Sequence, residues 1–197
     1  NYLVKLNGHT GQTAQHQLNN LHSLENMLSG GPYWQVTNGY VESSAQQLSN
    51  LAADVRKYDR DDLVGAVRIG LQAQTEVTFS SRFTVNTEPH LVNQAYCSAI
   101  SCGYSAVETD LWKPIATIAL DAAYEGTLLA AAALRDQGLG TGRVWLTFIG
   151  GGVFSNNDAW IVAAIKRALA LTQDLELNIN VSHYNTLRFT CEAAGDT

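Results

Sequence analysis

The sequence predicts an α/β fold, a three-layer α/β/α sandwich in a single domain spanning residues 1–197. Short β-rich runs alternate with apolar helical stretches along the chain. With 46% hydrophobic and 15% charged residues, 197 residues suit one ordinary core rather than a disordered chain. No internal repeat, low-complexity tract or long linker divides it.

The elements follow in order. Leu18, Leu21, Leu24 and Leu28 fall at helical spacing, so a helix is predicted within residues 11–28, stopped by Gly30-Gly31-Pro32. A second is predicted from Ser43 to Tyr58, capped by Ser43-Ser44, with Leu48, Leu51, Ala52 and Val55 as its apolar stripe. Strands are predicted at 63–69, ending at Gly70, and at Leu91–Ile100. A long apolar helix is expected over 111–136, with Pro114 in its first turn, where a missing N–H costs nothing. The run 143–149 (RVWLTFI) reads as a strand covered on both faces. A helix from Ala159 to Leu171 and a strand at 177–183 complete the pattern, leaving residues 1–60 as a helical N-terminal elaboration.

In such folds, ligands sit beyond the carboxyl ends of the strands. There the sequence places Gly150-Gly151-Gly152, after the 143–149 strand and before a helix. Glycines let the backbone turn its N–H groups inward and approach a ligand closely, and the helix N-terminus favours an anion. Val153, Phe154, Ser155 and Asn156 complete the loop, with Phe154 offering an apolar face to a sugar ring. The loop lacks the Gly-Lys-Ser/Thr of a Walker A motif and departs from GxGxxG. Near other predicted strand ends stand Gln74-Thr75-Glu76, the carboxylates Glu108 and Asp110, and Tyr184. Glu76 is either a catalytic carboxylate or a solvated group at an element end; Tyr184 either stacks on an adenine or is a rim residue. Asp121 and Glu125, four apart on the apolar helix, need partners and are expected to tie neighbouring loops by accepting backbone N–H bonds.

Net charge is −6, so nucleic acid is not an expected partner. The long apolar stretch carries Asp121 and Glu125, which argues against a membrane span. Cys97, Cys102 and Cys191 form no CxxC pair, and the five histidines form no HExxH, so no zinc site is expected and a reducing compartment is. No GxSxG elbow is present for a serine triad. The chain begins at Asn1 rather than Met, and the expectation is a chain trimmed from a longer product.

The loop IGGGVFSN (149–156), with QTEVT (74–78), QAYCSAISCGYS (94–105), LDAAYEGTLLAAA (120–132) and VWLTFIGGGVF (144–154), resembles the divergent macrodomain-like ADP-ribosyl hydrolases. The likeness covers roughly residues 60–185 and is closest to the MavL group, whose namesake is a bacterial effector acting on ADP-ribosylated ubiquitin. Gln74-Thr75-Glu76 looks like a variant of the Gln-Glu-Glu signature of poly(ADP-ribose) glycohydrolases, with Thr75 for the middle Glu and only Gly70 before it. The resemblance implies a macrodomain-like mixed sheet and a metal- and cofactor-independent hydrolase that removes ADP-ribose from a modified side chain, arginine among the candidates. It also implies a diphosphate on the 150–154 backbone and a distal ribose near Glu76, with Ser155, Asn156, Gln74 and Thr75 among the ligand-binding residues. Glu76 would act on the anomeric carbon, with Glu108 or Asp110 as a second acid or guanidinium partner. The alternative is a reader that holds ADP-ribose without chemistry. The expected partner is ADP-ribose or an ADP-ribosylated protein, ubiquitin included. A monomer is expected, cytoplasmic or, for an effector, secreted into a host cytosol.

Overall fold

The structure is a computed structural model that describes residues 5–6, 9–15, 17–78 and 89–183. Tyr184 and Cys191 therefore lie outside the described residues. Among those residues the chain is a mixed α/β protein of five α-helices and four two-stranded ladders. The order is β1 (Lys5–Leu6), β2 (His9–Thr10), α1 (His22–Met27), β3 (Gln35–Thr37), β4 (Tyr40–Glu42), α2 (Ala45–Asp54), α3 (Arg60–Gly65), β5 (Gly70–Glu76), β6 (Leu91–Tyr96), α4 (Lys113–Asp136), β7 (Arg143–Thr147), α5 (Asp158–Leu171) and β8 (Asn178–Ser182).

Helix α4 is the axis of the core. Trp112 at its cap and Ile115, Ile118, Leu120, Tyr124 and Leu128 along it are almost wholly buried. It packs against α2, α3, α5 and β7. One 28-residue helical stretch, Thr109–Asp136, has the length and hydropathy of a membrane span, but 61% of its most apolar window is already buried within the fold. Pro114 stands in the first turn as expected, and Gly138, at φ +72°, follows the helix end.

Strand β7 pairs in parallel with β8 across α5, in register from Arg143↔Asn178 to Thr147↔Ser182. This is a βαβ unit, and it puts the carboxyl ends of both strands on one side. Strands β5 and β6 pair antiparallel, Gly70 opposite Tyr96 and Glu76 opposite Leu91.

Several expectations change. The helix expected within 11–28 contracts to His22–Met27, because local side chains take the backbone donors ahead of it: Gln12 accepts from Leu18 N–H and Asn19 from Leu21 N–H. Residues 1–60 are not simply helical; Asn38 (φ +51°) and Gly39 (φ +83°) turn β3 into β4 as a tight hairpin. The 63–69 strand is instead the end of α3 and its exit. Asp59 caps that helix through Asp61 N–H, and Leu63 and Val64 bury on its inner side, so the strand begins at Gly70. The strand expected to reach Ile100 ends at Tyr96. Strand β7 alternates rather than being covered on both faces: Val144 and Leu146 are buried while Trp145 is 64% exposed. The predicted Ser43–Tyr58 helix is α2 plus a short 3-10 turn at Val55–Lys57, begun by a reciprocal Ser44–Gln47 capping box.

Asp121 and Glu125 do share a face of α4, but their partners are guanidinium groups, not the expected backbone N–H groups. Arg60 Nε donates to Asp121 at 3.0 Å, and Arg167 bridges Glu125 and Asp61. These pairs fasten α3 and α5 to α4.

Near the N-terminal half, buried Asp54 accepts from Lys57 Nζ at 2.9 Å and Gly30 N–H at 3.3 Å. The Lys57 bond, followed by one from Tyr33, holds its carboxyl below the ordinary carboxylate range. A lowered folded-state pKa gives stability that is present above the unfolded value and lost as pH falls through the folded one. The melting temperature of the protein is therefore expected to fall below about pH 4. Asp54→Asn should be less stable at neutral pH and lack that part of the acid dependence; identical acid profiles would remove Asp54 from the account.

Candidate functional site

The glycine loop lies where β7 hands over to α5. Gly150 has φ +80°, and a Cβ there would stand 2.4 Å from Ala99 Cβ and 2.8 Å from Asn156 Nδ2. No larger residue fits that turn. Asn156, 4% exposed, is the strut behind it: its Nδ2 donates to Ile100 O at 2.7 Å, and its N–H donates to Gly150 O at 3.0 Å. Gly150 and Asn156, both expected to touch ligand, thus support the loop from behind. Gly151 N–H reaches Phe148 O at 3.5 Å and Ser155 N–H donates to Gly152 O. The N–H groups of Gly152, Val153 and Phe154 donate to no described residue. Gly152 and Val153 are exposed, Val153 by 72%, and Phe154 is half-buried, all beside the start of the 14-residue α5. Asn157 caps that helix through Ala159 N–H, and Asp158 occupies its first turn.

A second loop is stitched to the first. The chain leaving β6 runs through Cys97–Tyr104, and Gly103 N–H donates to Phe154 O at 2.9 Å. Gly103 packs so closely that a Cβ would fall 2.5 Å from Val153 O and from Ser155 Oγ. Tyr104 meets Phe154 edge-on at 5.3 Å between centroids, and Tyr40 from the β3–β4 hairpin lies 5.5 Å from Tyr104. The tyrosines are half exposed, 44% for Tyr40 and 59% for Tyr104, so an aromatic rim borders the Phe154 end of the loop. Behind Phe154 opens a cleft of about 200 Å3, with Asn19, Asn20, Tyr40, Arg68, Ser98 and Ser101 among its lining residues.

Helix α4 supports this end from below. Tyr124 Oη donates to Thr147 O at 2.8 Å and accepts from Ile149 N–H at 3.0 Å, clamping the exit of β7. Burial pushes its phenol pKa up to about 12, which keeps it a neutral donor. Tyr124→Phe should cost about 0.5–1.5 kcal/mol in urea unfolding, since Ile149 N–H and Thr147 O each lose the hydroxyl but keep their own 3.0 Å hydrogen bond. A smaller loss would show that water replaces the hydroxyl.

The structure divides the sequence-predicted residues into two groups. Glu108 and Asp110, both exposed, lie at the entry to α4. Because Tyr124 meets the end of β7 while the far end of α4 leads to Leu139, these carboxylates stand at the loop's end of the domain. Gln74, Thr75 and Glu76 do not. Glu76 closes β5 opposite Leu91, whereas the chain passes from Tyr96 to the site loops, so the ladder separates Glu76 from them by roughly 20 Å. Gln74, at φ +54° in a bulge, donates to Leu139 O at 2.7 Å, on the side where β7 begins. Thr75 Oγ1 is buried without a hydrogen-bond partner among the described residues. The sequence reading missed Arg68, Tyr40 and Tyr104; only the Gly103-Tyr104 pair, a glycine beside an aromatic, carried a local signal.

Thiol chemistry is disfavoured here. Burial raises the Cys97 pKa and lifts that of Cys102 to about 11, so both stay protonated at neutral pH. No group of three or more His, Cys, Asp or Glu suited to a metal occurs among the described residues. No family model, curated protein or solved structure matches the chain.

Proposed function

We propose that this protein binds ADP-ribose on the Gly152–Phe154 loop and acts as a macrodomain-like hydrolase that releases it from a modified protein side chain. One observation carries the reading: three consecutive N–H groups without a partner among the described residues stand at the carboxyl end of a parallel strand, beside a helix start and an aromatic rim. A diphosphate would accept from those donors, while Phe154 and Tyr104 would flank a sugar or base. The β7–α5–β8 unit is compatible with the three-layer macrodomain sandwich that belongs to this reading. In the hydrolase, water attacks the anomeric carbon of the distal ribose and a carboxylate steadies the developing oxocarbenium charge. Glu108 and Asp110 are at the loop's end of the domain and are the preferred carboxylates; Glu76 is not. The substrate would be an ADP-ribosylated protein, ubiquitin included, met in the cytoplasm or in a host cytosol.

The test is release of ADP-ribose from modified proteins, arginine-linked ubiquitin among them. The unaltered chain should turn over. Glu108→Gln or Asp110→Asn should lose about 100-fold in rate with ADP-ribose affinity retained, and Glu76→Gln should be unaffected. Loss confined to Glu76→Gln would return the chemistry to that residue. The separation of Glu76 from the loop also favours a second reading, a non-catalytic reader, which binding without turnover on any linkage would establish.

A further inference from the structure

Arg68 lines the cleft behind Phe154. Arg60, Arg135 and Arg167 each form ion pairs. Arg68, exposed and lining the cleft, forms none with a described residue. In a chain of net charge −6, this guanidinium-bearing residue and Phe154, the last residue of the loop's open N–H run, line one cleft, which is where an anion would find positive charge. Asn19, Asn20 and the β3–β4 hairpin carrying Tyr40, all from the N-terminal elaboration, line the same cleft. Arg68 itself tethers that segment, its N–H donating to Asn20 O at 3.0 Å.

We infer that Arg68 is the charge-bearing contact of the ligand site, pairing with a phosphoryl oxygen of a diphosphate whose other oxygens meet Gly152–Phe154. The inference rests on the proposed ADP-ribose reading and deepens it. The backbone loop supplies oriented dipoles, and Arg68 supplies the full charge that a doubly anionic diphosphate requires. A guanidinium suits this because its donors form a planar fork matched to phosphate oxygens. Leu18–Leu21 and the β3–β4 hairpin thereby become part of the binding site, since they line the same cleft.

The experiment measures binding of ADP-ribose and of inorganic pyrophosphate by calorimetry at low and high salt, for the unaltered chain, Arg68→Met and Arg68→Lys. Melting temperatures identify any variant that has lost its fold. Arg68→Met should weaken both ligands by about 10- to 30-fold and flatten the salt dependence, with Arg68→Lys recovering part of each. A folded Arg68→Met that binds ADP-ribose as tightly, with the same salt dependence, overturns the role of Arg68 and leaves the loop reading standing. Pyrophosphate binding that depends on Arg68, without ADP-ribose binding, supports the anion contact and overturns the ADP-ribose reading. Failure of the unaltered chain to bind either ligand overturns both.

Discussion

Gly150→Ala should be the most damaging single substitution at the loop. The new methyl would lie 2.4 Å from Ala99 Cβ, and the residue would be held at φ +80°. Overpacking and left-handed backbone together cost about 2–5 kcal/mol, measured by chemical denaturation. Displacing Asn156 would also break the strut to Ile100, so under the proposed reading ADP-ribose affinity should fall as well. Gly152→Ala is the internal contrast. A Cβ there meets nothing within 4 Å, so the fold should be untouched and any change would report on ligand alone. Equal stability of both variants with the parent would show that the Ala99–Gly150–Asn156 packing is not what shapes the turn.

Arg60→Met comes next. Asp121 is 7% exposed, and Arg60 is the residue that hydrogen-bonds its carboxylate. Removing the guanidinium leaves a buried anion on the main core helix, at a cost of about 2–3 kcal/mol; the partial exposure of Arg60 keeps this below the full penalty for a sealed pair. Arg60→Met combined with Asp121→Asn should recover a substantial share, because the stranded charge is gone. A double variant no more stable than Arg60→Met would place the cost in lost packing of the Arg60 stem.

The sequence was most informative where one local rule acted alone. The apolar periodicity of 111–136, the Ser44–Gln47 cap and the strand-glycine-helix order at 143–171 all correspond to elements found, with shifted ends. It misled where two rules competed. Residues 63–69 carry β-branched character, but Asp59 offers a helix cap and the core takes Leu63 and Val64 on a helical face. That shift moved Glu76 from a loop beyond a strand to the last residue of one, and the antiparallel register took it away from the glycine loop. Register is a long-range property, and no local spacing in 70–96 encodes which end of the hairpin meets Gly150. Arg68 and Tyr40 were illegible for the same reason: each matters through what the fold places opposite it.

The stitch between Gly103 and Phe154 has a dynamic corollary. Two loops that share a hydrogen bond and interlocked packing open together or not at all, so their amides form one cooperative unit for exchange with solvent. A ligand seated on either loop would slow deuterium uptake in both, and a proteolytic nick between Ser98 and Ser105 would loosen the hold on a molecule resting fifty residues further along the chain.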